Sequence, residues 1–169
     1  MLTGIIVCIG IAVCGMILYV ISFKKKAETQ KYYDAAYKVM KESCLDHAIR
    51  SRDERVHRGQ KLMLYLKWTD SEKRGYVFDP ERTVRIGRDF ENSDICIREE
   101  TVSSRHCVLF LYQGALYLQD LNSRNGTWLK RGLGRQQVQG TAPVFSGDKI
   151  LVGSLTIKVT VFTFDMAYM

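Results

Sequence analysis

From Leu2 to Phe23 the chain reads LTGIIVCIGIAVCGMILYVISF, without one Asp, Glu, Lys, Arg or His. A helix needs about 20 apolar residues to cross about 30 Å of hydrocarbon, and it satisfies its own backbone, as lipid demands. The pattern therefore predicts a transmembrane α-helix over residues 1–23. A cleaved signal peptide would carry a basic residue before a shorter core and a small-residue cleavage site after it; this segment has neither. A lipoprotein signal fits no better, because Val7 and Val13 precede Cys8 and Cys14 where a small residue is expected. Next, Tyr33, Tyr37, Met40 and Cys44 recur at three- and four-residue steps, with Ala36 and Ala48 nearby and no Pro or Gly until Gly59. That periodicity predicts a helix over roughly Glu28–Arg50 inside a juxtamembrane stalk of residues 24–60.

After Gly59 the texture changes to short β-rich runs: LMLYLKW (62–68), YVF (76–78), TVRI (83–86), ICI (95–97), HCVLFLY (106–112) and LYLQDL (116–121). TWLK (127–130), KILV (149–152) and LTIKVTVF (155–162) follow. Asp79-Pro80, Gln113-Gly114, Asn125-Gly126 and Ser146-Gly147-Asp148 divide them. Many short strands at such spacing predict an all-β sandwich or barrel over residues 61–169.

Composition sharpens this division. The 169-residue average, 46% hydrophobic and 25% charged, resembles an ordinary soluble protein, yet all 25 basic and 18 acidic residues follow Phe23. Only the α-amino group precedes the apolar run, while Lys24, Lys25 and Lys26 follow it. The positive-inside rule then predicts a single-pass cell-membrane protein, its N-terminus outside and everything after Lys24 cytoplasmic. Of the net charge of +7, +4 lies in residues 24–60, where the first basic residues face anionic lipid, and only +3 lies in residues 61–169. So thin a charge argues against nucleic acid as a partner. Gly4, Cys8 and Ala12 form a small-residue stripe on which two copies of the helix would pair as a homodimer. The five cysteines, Cys8, Cys14, Cys44, Cys96 and Cys107, form no CxxC pair, which points to reduced thiols and no metal site.

Three loop clusters sit directly beside strands: Ile86-Gly87-Arg88, Thr101-Val102-Ser103-Ser104-Arg105-His106, and Asp120-Leu121-Asn122-Ser123-Arg124-Asn125-Gly126-Thr127. Guanidinium forks give paired N–H bonds to phosphate oxygens, hydroxyls donate at short range, and an Asn amide can bond a peptide backbone through both its ends. That set of donors suits a phosphate attached to a peptide, and nothing in it needs to react. Taken singly, each residue has a plainer use: Arg88 would pair with Asp89 or Asp120, Ser103 would cap a turn, and Asn125 would shape one. An enzyme reading finds no GxxxxGK[ST] loop, no dinucleotide context around Gly132-Leu133-Gly134, no triad pattern and no cofactor.

The order G-R, then S-x-x-H, then D-x-x-S-x-N-G-T resembles the forkhead-associated (FHA) domain family, over roughly Lys61 to Phe162. The resemblance implies an eleven-stranded β-sandwich that binds phosphothreonine peptides through loops at one end. It implies that Arg88 bonds the phosphate or the adjacent peptide backbone, that Ser103 donates to a phosphate oxygen, and that Ser104 contacts peptide or phosphate. Asn125 would hold the peptide backbone beyond the phosphothreonine, with Arg124 where Thr is most usual; His106, Gly87, Gly126 and Thr127 would shape the loops. Ser104 is shorter than the Asn, Arg or Lys often found there, and Arg105 and Arg124 would restore positive potential. The expectation is a membrane-anchored adaptor that recruits a Thr-phosphorylated partner, a Ser/Thr kinase or its substrate, to the inner membrane face. The alternative is a phospho-independent scaffold in a membrane complex.

Overall fold

The computed structural model describes residues 2–50, 60–70 and 72–165, with side chains described over 13–41, 61–70 and 72–164. The chain divides into two compact units, Met1–Asp34 and Ala35–Met169.

One uninterrupted helix, α1 (Leu2–Arg50), covers both the apolar run and most of the stalk. No Gly or Pro lies between Gly15 and Gly59, so nothing local stops it at Lys24–Lys26. Met16, Leu18, Tyr19 and Phe23 are each 64–70% exposed. Among the described residues no helix is long and apolar enough to cross a membrane. The side chains of residues 2–12, and with them the Gly4–Cys8–Ala12 stripe, lie outside the described residues.

Further along α1 the buried face differs from the expected stripe. Met40 is buried as expected, but Tyr33 and Tyr37 are exposed, and Ala36 occupies the buried position. Ala35 and Val39 are half-buried beside it. Small side chains allow close approach of a neighbouring backbone, whereas a tyrosine can leave its ring and hydroxyl in water. The side chains of Cys44 and Ala48 lie outside the described residues.

The remainder is a two-sheet sandwich of eleven strands. They are β1 (Gln60–Thr69), β2 (Lys73–Phe78), β3 (Val84–Gly87), β4 (Ile95–Cys96), β5 (Cys107–Tyr112) and β6 (Ala115–Asp120), followed by β7 (Thr127–Arg131), β8 (Gly134–Gln137), β9 (Thr141–Pro143), β10 (Lys149–Val152) and β11 (Leu155–Asp165). One sheet runs β2-β1-β11-β10-β7-β8 and the other β4-β3-β5-β6-β9. All pairings are antiparallel except β3 with β4.

The nine apolar runs each became a strand; β8 and β9 had no such signal. All four β8 residues are exposed, so no apolar alternation marks it. Its existence follows from the tight turn at Gly132-Leu133 and its pairing with β7. β9 is three residues long and holds a proline at a sheet edge, where the missing N–H costs no ladder bond.

Inward positions follow the period of two. Leu64, Leu66 and Trp68 of β1 meet Leu129, Ile150, Val152, Ile157 and Val159 from their own sheet. Val84, Ile86, Ile95, Leu109, Leu116 and Leu118 come from the other. This shared core holds the strand ends fixed, and with them the loops. In the pairings, Ile86 opposite Cys107, Cys107 opposite Asp120, and Val152 opposite Thr127 bring the β3–β4, β4–β5, β6–β7 and β10–β11 connections to one end.

Candidate functional site

The three sequence clusters converge at that end and are sewn together by backbone bonds. Arg88 N donates to Ser103 O (3.0 Å) and Asp89 N to Ser104 O (3.2 Å), so the β3–β4 loop lies against the β4–β5 loop. Gly87 makes this approach possible: a Cβ there would collide with the backbone carbonyl of Ser104.

His106 joins all three clusters. Its ring is buried, Nδ1 accepts from Ser103 N (3.1 Å), and Nε2 faces Gly126 O at 3.4 Å. Nδ1 as acceptor leaves the proton on Nε2, which donates to that carbonyl. His106 N also donates to Ile86 O, and Leu121 N donates to His106 O. Burial lowers the imidazole pKa, outweighing the Gly126 bond and the nearby Asp120 charge, so the neutral ring is the folded form.

Asp120 organises the third cluster. Its carboxylate accepts from Ser123 N (3.0 Å), from Ser123 Oγ (2.6 Å) and from Thr127 Oγ1. Burial alone would raise its pKa, but these three bonds outweigh it and hold the carboxyl below its ordinary value. The turn they close places Asn122 at φ 59° and Gly126 at φ 74°, the second being a conformation glycine adopts without penalty. The D-x-x-S spacing carried this signal in the sequence.

On this frame the five candidate ligand residues fall together. Arg88 is exposed, and its guanidinium has no partner among the described residues. The surface-pair alternative fails because both carboxylates are engaged elsewhere: Asp89 with Glu91 N and Asn92 Nδ2, Asp120 as above. Ser103 Oγ accepts from Arg124 N at 3.0 Å, which leaves its O–H proton to donate outward. Ser104 and Arg124 are exposed beside it. Asn125 is also exposed, but its Nδ2 donates to Thr101 O at 2.7 Å, which ties the β6–β7 loop to the β4–β5 loop. Its Oδ1 and the second Nδ2–H are left for a ligand.

Sequence reasoning missed two features. Glu99 accepts from Ser154 N (3.2 Å), Ser154 Oγ (2.9 Å) and Thr101 Oγ1 (3.2 Å), fastening the β4–β5 loop to the β10–β11 turn. The partners lie 55 residues apart, and no local pattern announces such a contact. Arg98 is the second: it is exposed, and its guanidinium, like that of Arg105, has no partner among the described residues. Elsewhere Arg74 pairs with Asp70, Arg85 with Asp94, Arg131 with Asp148, and Arg135 lies over the Trp128 ring. Unpaired arginines thus gather in the loops where the sequence motifs lie, with hydroxyls and an amide between them. The group offers donors to an oxyanion and contains no activated nucleophile. The Cys107 thiol just beneath is pushed up to about 12 by burial, so it stays protonated. Among the described residues no group of His, Cys, Asp and Glu could hold a metal ion.

Residues 84–153 match the model of the FHA domain family. This strand-rich region is similar to FHA domains. FHA domains are phosphothreonine-peptide-binding modules rather than enzymes. Solved structures agree on the fold. The FHA domain of an Arabidopsis thaliana hypothetical protein is 26% identical, with a TM-score of 0.52, over 65% of this chain and 92% of that one. The FHA domain of the Chlamydia trachomatis protein CT664 has the same fold at 16% identity, with a TM-score of 0.52, over 58% of this chain and 96% of that one. Mycobacterium tuberculosis EmbR, solved in complex with a low affinity phosphopeptide, is 23% identical over 58% of this chain, with a TM-score of 0.51. The match spans about a quarter (24%) of the length of EmbR. No curated protein matches the chain.

Proposed function

We propose that this protein is a membrane-anchored adaptor whose FHA domain binds a Thr-phosphorylated partner, a Ser/Thr kinase or its substrate, at the inner face of the cell membrane. The observation that carries the reading is the unpaired Arg88 guanidinium beside the outward-facing Ser103 hydroxyl, on loops pinned before any ligand arrives. Phosphothreonine carries about −1.5 to −2 charge at pH 7, and each charge-assisted bond to it contributes about 1.5–3 kcal/mol. Preformed donors lose little entropy on binding. Arg124 and Ser104 flank the phosphate, and Asn125 Oδ1 accepts from the peptide backbone.

Anchoring is supported by the all-apolar composition of residues 2–23 and by the exposed ring of apolar side chains on the described part of α1. A helix that is hydrophobic on all sides belongs in a membrane or a protein core. Lys24–Lys26 orient it with the FHA domain in the cytoplasm. Tethering makes the encounter with a membrane-bound partner partly intramolecular, raising its effective concentration.

The test is titration of the purified full chain, in detergent, with matched Thr and phosphothreonine peptides, for wild type and Arg88→Ala. Binding of the phosphorylated peptide alone, lost on substitution, is the expected result. Equal binding of both peptides, untouched by the substitution, would support the phospho-independent scaffold instead. For topology, a periplasmic reporter fused after Phe162 should stay silent.

A further inference from the structure

Phe90 is 73% exposed and lies two residues after Arg88 in the β3–β4 loop. Other exposed aromatics of the sandwich have partners. Tyr76 lies on Trp68 at 5.7 Å, Tyr112 meets Tyr117 at 6.4 Å, and Phe145 sits under the Arg131 guanidinium at 4.4 Å. Phe90 has no ring or cation partner among the described residues. Leu133, more open still, sits in the β7–β8 turn at the opposite end of the strands.

The backbone on both sides of Phe90 is fixed. Arg88 N and Asp89 N are bonded to Ser103 O and Ser104 O, and Cys96 Sγ–H donates to Arg88 O at 3.4 Å. Beyond it, the Asp89 carboxylate accepts from Glu91 N (3.1 Å) and Asn92 Nδ2 (2.7 Å). An exposed ring with no structural duty is therefore held on a rigid loop, one residue from an amide bonded to Ser104. A rigid aromatic of this kind gives large contact area for little lost entropy.

We propose that Phe90 sets sequence selectivity by packing against an apolar side chain that flanks the phosphothreonine of the partner. The inference rests on the phosphothreonine reading of the same site. The apolar choice follows from the ring itself, which gains by covering its exposed face with an aliphatic neighbour, while Arg88, Arg98, Arg105 and Arg124 on the surrounding loops disfavour a cationic one.

The experiment uses the full chain in detergent and phosphothreonine peptides carrying Leu, Ser or Lys at each flanking position in turn. Wild type should prefer Leu over Ser at one position by about tenfold, the worth of burying an aliphatic side chain against a ring. Phe90→Ala should bring those two peptides within about twofold, and Phe90→Leu should keep part of the preference. Discrimination between phosphothreonine and Thr should survive both substitutions, with an unchanged melting temperature, because Phe90 supports nothing in the fold. A Leu-to-Ser ratio that is the same in wild type and Phe90→Ala overturns the inference, as does a preference for Lys. Wild type that ignores phosphate altogether overturns the reading beneath it, an outcome distinct from either.

Discussion

At one end of the sandwich Arg131 grips Asp148 through bonds of 2.9 and 2.8 Å, while Lys61 bridges Asp79 (2.7 Å) and Glu81 (2.8 Å). At the other, Arg88, Arg98, Arg105 and Arg124 reach solvent with no partner among the described residues, and Asp89, Glu99 and Asp120 bond neutral N–H and O–H donors instead. Both ends need their turns held, yet the three motif loops close theirs without cations. Asp148 is nearly buried and also accepts from Phe145 N, so its charge has to be met inside the fold. In the loops the carboxylates close turns through the backbone, which leaves the guanidinium groups for an anion from outside. The contrast separates the groups that hold the domain together from those left without an internal partner among the described residues.

The sharpest way to break that contrast is Arg88→Ala. On the proposed reading, losing this guanidinium should weaken phosphopeptide binding by about 1.5–3 kcal/mol, or roughly 10- to 150-fold, as read by isothermal titration. The melting temperature should stay where it was, since no internal partner is lost. Asp148→Ala should do the reverse. It strands the Phe145 N–H and removes the carboxylate facing Arg131, costing about 1–3 kcal/mol of stability in chemical denaturation. Phosphopeptide affinity of the folded protein should not change. Either of these two substitutions moving both quantities together would erase the division between the two ends.

Ser103→Ala tests a residue that belongs to both sides. Its Oγ accepts from Arg124 N and has a proton to give, so affinity should fall by about 0.5–1.5 kcal/mol, with a small loss of stability as well. The mildest effect is a pH dependence centred on His106. Its folded pKa lies below the ordinary 6.5, so between the two values the unfolded chain binds more protons. His106 therefore contributes full stability above pH 6.5 and loses it as pH falls through the lowered folded value. Melting temperatures between pH 7.5 and 5.5 should decline in wild type, and less steeply in a His106→Asn variant that stays folded.

Much of this was legible along the chain, and the misses share a cause. The nine apolar runs became strands because a half-buried strand writes its period of two into the sequence. Gly87, Ser103, His106 and Asn125 could be named because they stand in the three motifs that carry the resemblance to the FHA family. β8 and β9 escaped because exposed or three-residue edge strands bury too little to leave a pattern. The periodicity of Tyr33 and Tyr37 marked a helix but not its buried face, because it cannot tell the tyrosines from the alanine stripe beside them.

What the amino-acid order alone determined was local: the apolar segment, the strands, the turn chemistry of Asp120-x-x-Ser123, and the inventory of donors. Only the tertiary structure decided which donors are free. Whether Arg88 pairs with Asp89 or faces solvent depends on what else claims the Asp89 carboxylate, and that is settled by Asn92 and the Glu91 backbone. How many of its amide donors Asn125 keeps for a ligand depends on Thr101, 24 residues away. The bond from Ser154 to Glu99 spans 55. Such competition between partners distant in sequence is resolved in three dimensions, because a hydrogen bond depends on distance and angle rather than on position along the chain.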